Sequence, residues 1–376
     1  MNSLPNTYFI QLLQIAVGQR HAFDSCPSDS DWTLLYHNSI RHTLTGVLYA
    51  AIEKLPAEQR PPRNLKLKWF AITERIKIKN QQLNREVVKV VAQLKTLGWD
   101  CVLLKGQGLS TCYTEPLLRM PGDIDLWVKP TNTTGNQLQS IRKKLAETVS
   151  LFGKVKGVTY CHMRINLLKQ TDVELHVTPS WLCCPWLNHK VQAFFTRHRD
   201  AQFEHLNSLP LETEKIAIPT VAFNRIYLLL HLFRHLYCSG FGLRQLMDYY
   251  LILKVAKSED EKIHDRIILK NLKLERFAGG IMYVMQHIFG LPEEQLLCPI
   301  NAKEGIFILH EVLRGGNMGY YDDRICWKIR QAGSIRNFVQ SIFRNGHFIF
   351  HYPMETLYDP YFRARFFLVR KLNGWQ

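Results

Sequence analysis

The chain has 376 residues, room for about two or three domains, and 46% of them are hydrophobic against 21% charged, the balance of an ordinary globular protein. Lysine and arginine outnumber the acids 48 to 32, a net charge of +16, which suits a polyanionic partner: a nucleotide is the least demanding, a nucleic acid a less favoured second. No run of about 18 apolar residues occurs, which argues against a transmembrane segment, and nine cysteines without a Cys-x-x-Cys argue against a disulfide framework and for reduced thiols in a cytoplasm.

The opening stretch, MNSLPNTYFIQLLQIAVGQRH, has no basic n-region and no small-residue cleavage site, so it does not read as a signal peptide. Tyr8 to Val17 reads instead as a first amphipathic helix. Asp31 is placed to cap a helix from Trp32 to Leu55, and Pro56 and Pro61-Pro62 punctuate the next connection. A long helix is expected from Leu65 to Leu97. Val87, Val90, Val91, Leu94 and Leu97 keep helical spacing, and Gly98 stands where a C-terminal cap glycine belongs. Lys66, Lys68, Arg75, Lys77 and Lys79 on its first half form either an acceptor-binding face or a solvated one. Residues 1–97 thus form an N-terminal helical region.

Residues 98–215 carry the chemistry. Cys101 to Leu104 is a short apolar run that reads as a buried strand, broken by Lys105-Gly106-Gln107-Gly108. Leu109 to Leu118 reads as a short helix or structured loop, and Arg119-Met120-Pro121-Gly122 turns the chain into a second strand, Asp123-Ile124-Asp125-Leu126-Trp127-Val128. Residues i and i+2 of a strand share a face, so Asp123 and Asp125 project together, about 6–7 Å apart along the chain. Two such carboxylates repel unless a cation sits between them, and hard oxygen donors select Mg²⁺ or Mn²⁺. The Lys-Gly turn just upstream offers N–H groups and a point charge for phosphates. Carboxylates, metal and a phosphate cradle together are the equipment of phosphoryl or nucleotidyl transfer; the competing reading is a plain polar strand end.

Further along, Val155 to Leu168 alternates in part, and Gln170-Thr171-Asp172 reads as a hairpin turn into Val173-Glu174-Leu175-His176. If this hairpin pairs beside the Asp-x-Asp strand, Glu174 supplies a third carboxylate, and His176 shares its face, to orient the acid, to touch substrate or to join a polar cluster. Arg119, four residues before Asp123, can reach a phosphate or pair with an aspartate. Trp181 and Trp186 lie in a Pro-rich loop and either stack on a base or pack over the sheet edge.

Residues 216–376 read as a C-terminal helical domain. VAFNRIYLLLHLFRHLYCSGFGLRQLMDYYLILKVA gives two apolar helices joined at Ser239-Gly240-Phe241-Gly242. His231 and His235 stand four apart on one face, without the glutamate of His-Glu-x-x-His, and Arg244 and Asp248 have the spacing of an intrahelical ion pair. Helices are also expected over Glu259–Leu272, Glu275–Gly290 and Ala302–Leu313, with Gly315 to Gly319 a flexible loop. The tail from Tyr361 to Trp375 is basic and aromatic, fit for an anionic surface or for docking on the body.

Strand, Lys-Gly turn, short helix, Asp-h-Asp strand and a later strand with a third acid resemble the polymerase-beta-like nucleotidyltransferase superfamily. LLKG…R…GDIDLWV, then VELH, then His231-x3-His235 with GLRQLMDYY, resemble more closely the bacterial family known as uncharacterised nucleotidyltransferases, over most of the chain. The resemblance implies an α+β fold, a small mixed-sheet nucleotidyltransferase core flanked by N-terminal and C-terminal helical regions. It implies two Mg²⁺ (or Mn²⁺) ions held by Asp123, Asp125 and Glu174, and transfer of a nucleoside monophosphate from an NTP to a hydroxyl of an acceptor, small molecule or protein. Lys105, Gly106, Gln107, Ser110 and Arg119 would serve the nucleotide, and His176, His231, His235, Arg244 and Asp248 would face the substrate. Gln107 departs from the superfamily, which usually has serine after the glycine; Ser110 lies close by. Two rival readings remain: an enzyme of the same chemistry acting on RNA or tRNA ends, and a nucleotide-binding or interaction module that has lost catalysis.

Overall fold

The computed structural model describes residues 7–131, 138–151, 155, 157–168, 170–322, 324, 342 and 345–372. Its helices and strands keep close to the sequence periodicity, with α1 spanning Thr7–Ala16, α2 Asp29–Arg41 and α3 Thr45–Lys54. The single helix expected from Trp32 to Leu55 is thus two. Thr43 takes a left-handed conformation (φ 55°) between them, and Leu44 N–H bonds back to the Ser39 carbonyl at 2.8 Å. The cap is Ser28 rather than Asp31. Ser28 Oγ accepts from Asp31 N–H at 3.2 Å while the Asp31 carboxylate accepts from Ser28 N–H at 3.0 Å, so one reciprocal box satisfies two orphan donors.

The long helix α4 is Arg63–Thr96, ended by Gly98 at φ 78°, as its position after the apolar stripe requires. Then come β1 (Trp99–Leu103), the one-turn α5 (Gln107–Ser110), β2 (Ile124–Pro130), α6 (Leu138–Ser150), β3 (Gly157–Val158), β4 (His162–Ile165), β5 (Val173–His176) and α7 (Pro185–Glu204). After β6 (Leu206–Ser208) and β7 (Lys215–Ala217) the chain is helical: α8 (Val221–Cys238), α9 (Leu243–Lys254), α10 (Glu259–Asn271), α11 (Glu275–Phe289), α12 (Ala302–Gly315) and α13 (Pro353–Leu372). Residues Gly315 to Gly319, expected as a loop, contain a 3₁₀ turn, Asn317–Gly319. The end of the basic aromatic tail, through Trp375, and Lys156 in the Val155–Leu168 run lie outside the described residues. No helix among the described residues is long and apolar enough to cross a membrane.

The chain divides into two compact units, each built from three stretches. One comprises residues 1–81, 110–121 and 235–325; the other comprises 82–109, 122–234 and 326–376. The first unit is helical. Trp69 is fully buried among Trp32 and Tyr36, with its indole N–H on the Thr45 carbonyl at 2.8 Å. In the same unit, α11 and α12 approach closely because Gly280 and Gly305 carry no side chain: a Cβ on either would come within 2.7 Å of Ile308 or 2.3 Å of Tyr283.

The second unit holds a mixed sheet of seven strands among the described residues, in the order β3-β4-β5-β2-β1-β7-β6. β2 runs antiparallel to β1 and parallel to β5, and β4–β5 is an antiparallel hairpin. The alternation of β2 sorts its side chains into two layers. Ile124, Leu126 and Val128 join a core with Leu83, Val87, Val90 and Leu94 of α4 and Ile141, Leu145 and Val149 of α6. Trp127, on the other face, meets Phe195 and Phe203 of α7 and Phe223 of α8, with centroids 5.3–6.3 Å apart. The architecture is α+β, a mixed sheet flanked by helices.

The Trp181 ring packs at 6.3 Å on Phe362 of α13 with Arg234 stacked 4.6 Å above it, so this tryptophan covers the edge of the body. The described part of the tail docks likewise: buried Glu355 accepts from Cys183 N–H at 2.7 Å and Arg234 at 2.6 Å.

Candidate active site

The site grows from the sheet register of the second unit. Asp125 lies opposite Glu174 across the parallel β2–β5 pair, and Trp127 lies opposite His176. Across the antiparallel β4–β5 pair, Glu174 lies opposite Arg164 and His176 opposite His162. Residues directly paired share a face, so two rows cross three strands: Arg164–Glu174–Asp125, and His162–His176–Trp127. The first is a row of alternating charge on the face opposite the α4/α6 core.

The two buried acids in that row are met by a partly shared set of counter-ions. Asp125, 6% exposed, takes Lys105 Nζ at 2.9 Å and His176 Nε2 at 2.9 Å on the same oxygen. Glu174, 7% exposed, takes Arg164 Nη2 at 2.7 Å on one oxygen and lies 3.3 Å from His162 Nδ1 and 3.6 Å from His176 Nε2 on the other. Burial opposes ionisation of both acids. Lys105 and His176 outweigh it at Asp125, and His176, His162 and Lys105 outweigh it at Glu174, so both carboxyls are held below their ordinary range. In return, His176 and Lys105, whose charges burial disfavours, are held protonated by the acids, chiefly Asp125.

Asp123 differs. It stands just before β2 and is exposed, and its carboxyl is pushed up to about 6, by partial burial first and then by the negative charges of Asp125 and Glu174. Crowding of like charge is the second part of that shift, after burial, and it is the part that a bound cation relieves.

The turn between β1 and α5 is built to approach this row. Gly106 has φ 62°, the left-handed region, and a Cβ there would sit 3.3 Å from the Asp123 carbonyl. The Leu104 N–H bonds the Asp125 carbonyl at 2.9 Å, tying the Lys-Gly turn to the acid strand. Gln107 is buried and donates Nε2–H to Asn84 Oδ1 at 2.6 Å.

The other expected residues have partners of their own. Ser110 and Arg119 belong to the first unit, where Ser110 is buried and its carbonyl accepts from Tyr113 N–H at 3.0 Å. The Arg119 guanidinium grips Asp248 with two bonds, Nε–Oδ1 at 2.8 Å and Nη2–Oδ2 at 2.7 Å, and Tyr113 O–H adds a third at 2.7 Å. Asp248 is thus engaged across its unit by Arg119 and Tyr113. Arg244 Nη1 donates to the Met120 carbonyl at 3.1 Å. His231 packs against the Tyr227 ring at 6.0 Å, and His235 Nδ1 lies 3.0 Å from Ser239 Oγ. Neither histidine belongs to the metal-competent groups among the described residues, which are Asp125–Glu174–His176 and Cys161–His162–His176.

Sequence reasoning missed four residues of this neighbourhood. Arg164 and His162 alternate along β4, which signals a common face, but only the β4–β5 register shows that the face carries Glu174. Cys161, adjacent to His162, has its thiol lowered to about 5: burial opposes ionisation and the His162 charge and hydrogen bond overcome it. The Tyr227 hydroxyl is buried without a hydrogen-bond partner, and burial followed by the charges of Asp125, Cys161 and Glu174 keeps it from ionising.

Oxygen donors that crowd one another while a Lys-Gly turn lies alongside fit a hard divalent cation and a phosphate ester. Residues 28–290, more than two-thirds of the chain, match a family model described as an uncharacterised nucleotidyltransferase. No curated protein and no solved structure matches the chain.

Proposed function

The chain belongs to this nucleotidyltransferase family, a family of phosphorus-group-transferring enzymes, and we propose that it moves a nucleoside monophosphate from an NTP to an acceptor hydroxyl at the Asp123–Asp125–Glu174 site. The observation that carries this reading is the β2–β5 register, which sets Asp125 opposite Glu174 while the Gly106 turn abuts the backbone of Asp123. Asp125 and Glu174, with Asp123 at the exposed end, would hold Mg²⁺ or Mn²⁺, in keeping with two ions in such a site. When bound, the metal supplies Lewis-acid stabilisation of charge on the phosphate oxygens.

The chain's own groups account for the rest. Lys105 and the N–H groups of the Gly106 turn offer positive charge and donors to a polyphosphate. His176, donating to Asp125, fixes the orientation of that carboxylate; Arg164 does the same for Glu174. Positioning of this kind and fixed charge are the main contributions a protein makes to phosphoryl transfer.

The test is calorimetry of each NTP with and without Mg²⁺, on wild type, Asp123→Asn and Asp125→Asn, with a subsequent acceptor screen for release of pyrophosphate. Mg²⁺-dependent binding that disappears in the variants while their circular dichroism stays native supports the reading. Turnover retained by either variant would sink it.

A further inference from the structure

Beside the oxygen donors lies a second set of different chemistry. We propose that Cys161, His162 and His176 form a site for zinc or a similar borderline-soft divalent cation. The three ligand atoms lie within 4.8 Å of one another. Cys161 Sγ is 3.4 Å from His162 Nδ1, and the two imidazoles, opposed in register on β4 and β5, have centroids 4.9 Å apart. Zinc bonds of about 2.0–2.3 Å place tetrahedral ligand atoms roughly 3.3–3.8 Å apart, so small side-chain rotations close the set.

The decisive feature is His176. Its ring is 4% exposed, Nε2 faces Asp125 Oδ1 at 2.9 Å, and Nδ1 is buried without a hydrogen-bond partner. With its Nε2 proton directed at Asp125, the ring has Nδ1 left to offer a metal, which would take the place of the Nδ1 proton on binding. A carboxylate that orients a histidine so that its other nitrogen takes a metal is the usual support of zinc-binding imidazoles. Cys161 is also buried, and its backbone is pinned by the Val177 N–H, which bonds the Cys161 carbonyl at 2.8 Å. Thiolate and imidazole select a softer ion than the carboxylates of Asp123 and Asp125 do. Three protein ligands leave the fourth position to water, and the site stands whether or not the protein transfers nucleotides.

Titration of the metal-free, full-length protein with Co²⁺, then Zn²⁺, tests this. One equivalent of Co²⁺ should produce tetrahedral visible bands and a sulfur-to-cobalt charge-transfer absorption in the near ultraviolet, and Zn²⁺ should abolish both. Cys161→Ser should remove the charge-transfer band and weaken Zn²⁺ by at least about tenfold, while Asp123→Asn keeps the band. Should Cys161→Ser fail to fold, His162→Gln, on a side chain 16% exposed, must weaken Zn²⁺ and change the visible spectrum. A missing charge-transfer band, or one unchanged in Cys161→Ser, overturns the proposal. So does zinc binding that survives both Cys161→Ser and His162→Gln undiminished, which would place the ion on the carboxylates.

Discussion

The buried pair of Arg119 and Asp248 offers the sharpest test of what is structural here. Both side chains are about 5% exposed, joined by two parallel bonds at 2.7 and 2.8 Å, with Tyr113 O–H on the same carboxylate. Removing one partner strands a buried charge, which costs about 3–5 kcal/mol, whereas replacing both with apolar residues of similar volume is often nearly neutral. Arg119→Met and Asp248→Asn should therefore each lower the melting temperature by roughly 6–20 °C, taking about 2–4 °C per kcal/mol for a unit of this size. Arg119→Met/Asp248→Leu should recover most of the loss, so that the double-mutant cycle shows a coupling of about 3 kcal/mol or more. Scanning calorimetry of the four proteins reads this directly. Single variants melting within about 2 °C of wild type, or additive losses in the double variant, would refute the reasoning. An Arg119→Met variant with native stability and a raised KM for NTP would make the guanidinium a phosphate ligand instead.

The second unit supplies three further expected outcomes. Asp123, whose carboxyl is raised to about 6, binds its proton more tightly in the folded chain, so its contribution to stability is present below the ordinary carboxylate range and is lost as pH rises through about 6. A cation must displace that proton; Mn²⁺ affinity by calorimetry should rise between about pH 5 and about pH 7, and Asp123→Asn should flatten the rise. Gly106→Ala forces a Cβ into the left-handed region beside the Asp123 carbonyl and should cost about 1–2 kcal/mol in urea unfolding, with weakened NTP binding; a neutral effect on both would mean the turn is not constrained as described. Gln107→Ser, the residue usual in the superfamily, removes the donor to Asn84 Oδ1 and should destabilise by about 1–3 kcal/mol, which thermal melting against an Asn84→Ala background would isolate.

The chemistry-bearing stretch was legible because its signals are local. A strand broken by Lys105-Gly106 and an Asp-x-Asp repeat need no knowledge of distant residues, and the apolar stripe ending at Gly98 likewise names its own helix end. What was hidden depends on pairing or on a single backbone angle. Glu174 became a neighbour of Asp125 only through parallel β2–β5 pairing, and His162 and Arg164 only through the register of β4. The break between α2 and α3 rests on Thr43 at positive φ, which a threonine does not advertise. Asp248 has the i, i+4 spacing to Arg244, but the geometry of a bidentate grip favoured Arg119, more than a hundred residues away.

The charges of the site also explain why its acids are not equivalent. Carboxylates buried to the extent of Asp125 and Glu174 destabilise a fold unless something compensates them, and here Lys105, His176, Arg164 and His162 do so within 3.3 Å. The sheet therefore does not need a metal to hold these acids in place, unlike a small domain whose folding energy is its metal-binding energy. Asp125 and Glu174 are consequently bound up with both folding and chemistry, and a substitution at either leaves buried cations behind. Asp123 is exposed, stands outside the paired strand and carries the strain of like charge rather than relieving it. It is the acid at which cation binding can be removed with the least disturbance to the sheet, and so the position where a loss of turnover speaks most directly about the reaction.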